Sequence, residues 1–220
     1  MKNSSKYAED IVKIRKYVAG KCSAFSYSTH HMDHIERVTA TALYIGRKMN
    51  ADLTVLEAAA LLHDVGRFKE DENSCHAEIS AEEAYKLLNA LGWPQDMISS
   101  VTYAVRVHRY NLQVVPDTLE AKILQDADKL DALGAVGIAR ILSHAPETHL
   151  YAEKDPFCLN REPSDNYTID HFYKKILKLR NSMNTEAGRK IAEKRDKFTR
   201  KFLEELKKEI FFPDSSGNDK

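Results

Sequence analysis

The 220-residue chain carries 33 basic and 33 acidic side chains, so its formal charge is zero, and broad, sequence-independent nucleic-acid binding, which needs a basic face, is not expected. No apolar run approaches the roughly 20 residues of a membrane span, and Met1–Asp10 is too polar for a secretion signal. Three scattered cysteines, Cys22, Cys75 and Cys158, lack CxxC spacing and read as reduced thiols of a cytoplasmic protein.

Eight glycines and six prolines are few breakers for this length, and Ala, Leu, Glu and Lys are abundant, so the expected class is all-α. Ala8–Val18 is the first expected helix, with Ile11, Ile14, Tyr17 and Val18 on one face and Gly20-Lys21-Cys22 breaking it. His30 to His34 opens a second, whose apolar face is Ile35, Val38, Ala42 and Ile45. Thr54 to Glu57 has the spacing of a capping box and starts a third that runs to His63-Asp64, where Val65-Gly66 ends it. Lys69–Ser74 is a charged loop. A fourth helix spans His76 to Leu91, with Gly92 as its stop, and Pro94 starts a fifth that carries Ile98, Val101, Ala104, Val105 and His108. Asp117 to Glu120 caps a sixth, Ala121–Leu133, and Gly134 and Gly137 interrupt before Ile138–Leu142. His144–Asn166 is a long loop with three prolines, of the kind that often carries function. Thr168–Met183 and Thr185–Ile210 are two further helices. One helical domain over residues 1–210 is expected, followed by a flexible tail at 211–220.

Leu61-Leu62-His63-Asp64-Val65-Gly66-Arg67 stands out within this pattern. A His-Asp pair ends an apolar, alanine-rich run, and an ionised carboxylate is costly to bury unless it is paired or coordinates a metal. Further candidate ligands lie at the ends of other helices: His34, and an aspartate of Gln125-Asp126-Ala127-Asp128-Lys129-Leu130-Asp131. Facing helices of a bundle can project such side chains to one point. Adjacent residues on a helix differ by about 100° in direction, so His63 and Asp64 can share an ion only at the shoulder between them. Mixed imidazole and carboxylate donors suit Mn²⁺, Fe²⁺, Mg²⁺, Ni²⁺ or Zn²⁺. Such an ion acidifies a water and offsets charge developing on phosphorus, so metal-assisted hydrolysis is the chemistry expected.

The ordered set of His34, the Leu61–Arg67 run and Ala127-Asp128-Lys129-Leu130 resembles the H…HD…D signature of the HD superfamily of metal-dependent phosphohydrolases, over a core of about residues 27–142. The resemblance implies an HD-type helical bundle with a C-terminal helical extension at about 168–210. It selects Asp128 as the fourth ligand beside His34, His63 and Asp64, with Asp131, one turn later, as runner-up. In dinuclear members two further histidines hold a second ion, and His76 and His108 fall in matching places. Helix-terminal capping is the plainer reading of both, and they stand here as substrate-binding candidates. The segment Tyr167–Arg195 is similar to a small bacterial subgroup of stand-alone HD hydrolases described as nucleotide pyrophosphohydrolases. That likeness implies cleavage of (deoxy)nucleoside triphosphates to monophosphate and pyrophosphate, with Mn²⁺ as the expected ion.

Phosphate chemistry needs positive charge beside the metal. Arg67, which can grip a phosphate in bidentate fashion, and Lys129, a point charge, are nearest in sequence, and Asp64 and Arg67 are the expected catalytic residues. His30 and His31 border the site if their helix starts early. Asp33, Glu70, Asp71 and Glu72 are candidate general bases, and Tyr151, Phe157 and Tyr167 are candidate stacking partners for a base. Two alternatives share the residues: a phosphomonoesterase or phosphodiesterase with the same site, and a non-catalytic nucleotide-binding module. A homodimer is compatible with everything above.

Overall fold

Apolar residues at helical spacing become helices that bury them, and the computed structural model describes this for residues 2–23, 31–69, 75–110, 114–143 and 149–211, without the side chains of residues 2–5 and 68. Among the described residues regular structure is helical, apart from one isolated parallel bridge between His149 and Tyr167. No helix among them is long and apolar enough to cross a membrane. The chain divides into two compact units, Met1–Asp131 with Met183–Lys190, and Ala132–Ser182 with Ile191–Lys220.

The first unit holds α1 (Lys2–Ser23), α2 (Met32–Met49), α3 (Leu53–Leu62), α4 (His76–Ala90), α5 (Gln95–Arg106) and α6 (Leu119–Asp131). α1 runs through Gly20 instead of stopping there, because one glycine inside a helix costs only about 1 kcal/mol relative to alanine and Ile14, Val18 and Cys22 are buried on either side of it. α3 starts two residues earlier than the capping-box reading: Asp52, not Thr54, is the cap, and its carboxylate accepts from the Thr54 and Val55 amides at 2.9 and 3.1 Å.

α3 is apolar apart from Thr54 and Glu57, and it packs against α1, α2, α5 and α6. Leu56, Leu61 and Leu62 are fully buried, which stabilises by about 1.5–3 kcal/mol for each side chain. Because α3 runs through the middle of the unit, its C-terminal end delivers His63 and Asp64 to the interior. A tight turn follows, His63 to Gly66, then a 3₁₀ turn over Arg67–Lys69. Gly66 is wedged against α4. A Cβ there would lie 2.6 Å from the Ser80 amide nitrogen and 2.8 Å from the Ile79 carbonyl carbon, while its own N–H donates to Ser80 Oγ at 2.8 Å.

The second unit contains α7 (Gly134–Ser143), α8 (Asp170–Lys174), a 3₁₀ segment (Ile176–Ser182) and most of α9 (Glu186–Ile210). The single helix expected over Thr168–Met183 is therefore two pieces, broken where Lys175 leaves helical geometry at φ −132°, ψ −57°. Gly137 lies inside α7 and does not interrupt it; Gly134, at φ +76°, marks the break before it. Buried Asp170 organises the loop ahead of α8. It accepts two bonds from the Arg161 guanidinium, and one from the Ser164 amide at 2.7 Å. Phe157 is buried in this unit's core, so of the three aromatic residues offered as stacking partners it has no free face.

Candidate metal centre

Six side chains from separate places in the sequence converge within the first unit. His34 lies in the first turn of α2, His63 and Asp64 directly follow α3, His76 opens α4, His108 follows α5, and Asp128 lies in the last turn of α6. All but Asp128 are buried, and Asp128 keeps about a quarter of its side chain exposed, at 26%. The carboxylate of Asp64 is the hub. Its Oδ2 lies 3.7 Å from His34 Nε2 and 3.6 Å from His63 Nε2, and its Oδ1 lies 3.4 Å from His76 Nε2 and 3.6 Å from His108 Nε2. Asp128 Oδ1 is 3.5 Å from His34 Nε2.

The donor chemistry fits a divalent ion. A carbonyl oxygen can only accept, so His63 Nδ1, 2.7 Å from Ala60 O, carries the ring proton. Burial pushes His63 down to about 4, which keeps the ring neutral near pH 7 and leaves Nε2 with a bare lone pair. His34 Nδ1 likewise donates to Asp131 Oδ2 at 2.7 Å. The two Nε2 atoms then face each other at 3.3 Å, an arrangement that calls for a cation between the lone pairs. Ligand atoms each about 2.1 Å from one ion sit roughly 3.0 Å apart in an octahedral shell and roughly 3.4 Å apart in a tetrahedral one; the observed spacings need little contraction. Two donor sets have their atoms mutually within 4.8 Å, His34 with His63 and Asp128, and His63 with Asp64 and His108.

The remaining electrostatics follow from burial against charge. At His108 burial acts to lower the imidazole, but the bond and charge of Asp64 outweigh it and the ring is raised above its ordinary value. At Asp128 burial acts to raise the carboxyl, and the facing imidazoles of His34, His63 and His108 bring it below the usual range. Both results favour the anionic carboxylate that an ion would meet.

Arg67 stands at the edge of the cluster, 30% exposed, with Nη1 3.6 Å from Asp64 Oδ1 and 3.1 Å from His76 Nε2. Lys129 is buried. Its ammonium donates to Gln125 Oε1 at 2.9 Å and lies 5.5 Å from the centre of the Tyr110 ring, and burial lowers it from its ordinary value. Asp131 is turned away from the Asp64 cluster, with its oxygens on His34 Nδ1 and on Arg37. Asp126 accepts from the amides of Asn184 and Thr185 at 2.8 Å each, ahead of α9. Asp33 is largely exposed and paired with Arg37. His31 precedes α2 as its N-cap residue without a side-chain cap bond. His30, Glu70, Asp71 and Glu72 lie outside the described residues. The support of His34 by Asp131 and Arg37 was not anticipated from sequence; the only hint was spacing, Arg37 three residues after His34 and Asp131 three after Asp128.

A family model for the HD domain matches residues 32–133, a span that holds all six converging side chains. Bacillus subtilis YpgQ is 35% identical over 187 residues, covering 83% of this chain and 85% of YpgQ. The chain belongs to the HD superfamily. The crystal structure of YpgQ in complex with ADP has a TM-score of 0.74 to this HD protein at 32% identity, covering 93% of this chain and 96% of that one. An HD-superfamily hydrolase from Bacillus thuringiensis gives a TM-score of 0.73 at 30% identity, covering 92% of this chain and 97% of that one. These relatives support the metal-dependent hydrolase expected from the sequence, with His and Asp side chains placed where they could hold a divalent ion.

Proposed function

We propose that this HD protein hydrolyses nucleotides with a divalent cation, cleaving (deoxy)nucleoside triphosphates to the monophosphate and pyrophosphate. The observation that carries the reading is the convergence of imidazole Nε2 atoms and two carboxylates beside a partly exposed arginine. A bound divalent ion supplies Lewis acidity, acidifying a water and stabilising charge on phosphorus. His34, His63, Asp64 and Asp128 would hold it, with Mn²⁺ the proposed ion. Neutral His63 offers its lone pair without first losing a proton. Arg67 is placed to grip phosphate oxygens that enter from its exposed side, in two parallel N–H···O bonds. Lys129 contributes positive charge from behind Asp128 rather than by contact, given its bond to Gln125. The ADP bound in the crystal structure of YpgQ supports a nucleotide as the ligand class.

His76 and His108 favour a second reading. Both rings lie nearest Asp64 Oδ1, whereas His34 and His63 lie nearest its Oδ2, so His76 and His108 would help hold a second ion beside Asp64. Two-ion sites commonly serve phosphatases and nucleases, and the corresponding activity is a phosphomonoesterase or phosphodiesterase acting on nucleotides. Purified protein loaded with Mn²⁺ and offered triphosphates, monophosphates and cyclic nucleotides separates these. Pyrophosphate release from a triphosphate supports the first reading; inorganic phosphate from monophosphates alone, or opening of cyclic nucleotides alone, supports the second. Nucleotide binding without hydrolysis of any of them would make the protein a non-catalytic module.

A further inference from the structure

The three histidines whose Nδ1 partners are resolved are not supported alike. His63 Nδ1 donates to Ala60 O at 2.7 Å and His108 Nδ1 to Val105 O at 2.6 Å, both neutral carbonyls of the preceding helical turn. His34 Nδ1 instead donates to a carboxylate on another helix, Asp131 Oδ2 at 2.7 Å. That carboxylate is itself fixed by Arg37, whose Nε donates to Oδ1 at 2.8 Å and whose Nη2 donates to Oδ2 at 3.1 Å. Arg37 is anchored in turn by Asp33 Oδ2 at 2.7 Å. His34 and Asp131 are buried, and the Arg37 side chain is one-third exposed.

We propose that Asp131 and Arg37 are positioning residues for the metal centre, setting the orientation, tautomer and donor strength of His34. The inference rests on the metal reading above. A carboxylate at Nδ1 holds the proton there and leaves a lone pair on Nε2 for a metal ion, and an anionic acceptor makes the ring a stronger ligand than a carbonyl does. The two bonds from Arg37 fix the plane of the carboxylate. They also occupy both of its oxygens, which keeps Asp131 from competing with Asp128 as a ligand. Arg37 thus acts on the ion only through Asp131.

The test uses the full chain stripped of metal by a chelator, with Mn²⁺ affinity read by titration calorimetry. Asp131→Leu weakens binding by about 10–100-fold, the usual effect of losing such an outer partner. Arg37→Gln weakens it several-fold. Combined with Asp131→Leu, it adds no further loss, as expected of residues acting in series. A second readout needs no metal: in protein labelled with ¹⁵N-histidine, wild-type His34 keeps a proton at Nδ1 in preference to Nε2, and Asp131→Leu loses that preference. Should Asp131→Leu fail to fold, Arg37→Gln carries the test from its partly exposed position. Wild-type affinity in the variants, losses that simply add, or an unchanged His34 tautomer would overturn the inference. Failure of the wild-type chain to bind any divalent ion would overturn the metal reading as well.

Discussion

Replacing Gly66 by alanine places one methyl group where the structure has no room for it. The new Cβ would lie 2.6 Å from the Ser80 nitrogen, 2.8 Å from the Ile79 carbonyl carbon and 2.8 Å from Ile79 Cβ. Two of these three are backbone atoms of α4, which cannot swing aside as a side-chain tip can. Overpacking of a tight interior costs about 1–3 kcal/mol, and the rigidity of these neighbours argues for the upper end. Moving the turn also loses the Gly66 N–H bond to buried Ser80 Oγ, worth about 1 kcal/mol. Together these give about 3–4 kcal/mol. At roughly 2–4 °C per kcal/mol for a chain of this size, the melting temperature falls by about 6–16 °C. Catalysis suffers more than stability, because Gly66 sits between Asp64 and Arg67 and any shift that relieves the clash carries both. With a 1 Å misplacement worth about 100-fold in rate, kcat/KM for the best substrate falls by about that factor at a temperature where the variant is still folded. Thermal melts followed by circular dichroism, with kinetics at 20 °C below the variant's midpoint, measure both. A Gly66→Ala protein that melts within 2 °C of wild type and keeps its kcat/KM would refute the packing argument.

Asp64→Asn keeps the shape of the hub and removes its charge. Turnover is expected to drop by about 100–1,000-fold with helical content retained, as a metal-loaded assay and circular dichroism would show; activity within tenfold of wild type contradicts the site assignment. His108→Ala distinguishes the two readings of the centre, because bound Mn²⁺ counted after gel filtration falls from two ions to one if His76 and His108 help hold a second ion, and stays at one if they do not. In the second unit, burial acts to raise the Asp170 carboxyl, but the Arg161 guanidinium outweighs it and holds the group below its ordinary range. A depressed carboxyl stabilises the fold above the unfolded value of about 3.9 and loses that contribution as pH falls through the folded value. Melting temperatures of wild type and Asp170→Asn should therefore differ most near neutrality, with the gap narrowing as pH falls below about 4; a gap that does not narrow at all as pH falls from 7 into the acid range argues against the linkage.

The helices and the convergence of His34, His63, Asp64 and Asp128 were legible because they depend on local pattern and on residue chemistry. An apolar run such as Ala58–Leu62 has to be buried, and a His-Asp pair at its end has to find partners. What remained open in the sequence depended on distances between helices. Asp131 is three residues after Asp128, about 60° round the helix and about 4.5 Å along it, and spacing alone leaves it a plausible ligand. Only the position of α2 decides otherwise, by putting His34 Nδ1 and Arg37 against it. The same holds for His76 and His108, whose helix-terminal positions suit capping as well as ligation until α4 and α5 are seen to point both rings at Asp64. Gly20 misled for the opposite reason. Its local preference is weak, and burial of α1 on both sides of it overrides a penalty of about 1 kcal/mol.

Charge balance links the centre to the class of substrate proposed for it. Asp131 is matched by Arg37 and Asp64 by Arg67, while Asp128 shares the positive charge of Lys129 with Asp126. These four carboxylates outnumber the three cations by one, so a divalent cation that enters turns a small negative balance into a positive surplus. A buried surplus of that kind is costly unless an anion joins it. A nucleotide polyphosphate brings several negative charges to the side where Arg67 and Asp128 remain partly exposed. Ion and substrate should consequently bind with positive coupling: saturating triphosphate tightens Mn²⁺ binding, and by reciprocity Mn²⁺ tightens the triphosphate by the same factor. Equal Mn²⁺ affinity with and without a non-hydrolysable triphosphate, once chelation by the free nucleotide is subtracted, would mean that the surplus is met by solvent anions and not by the substrate.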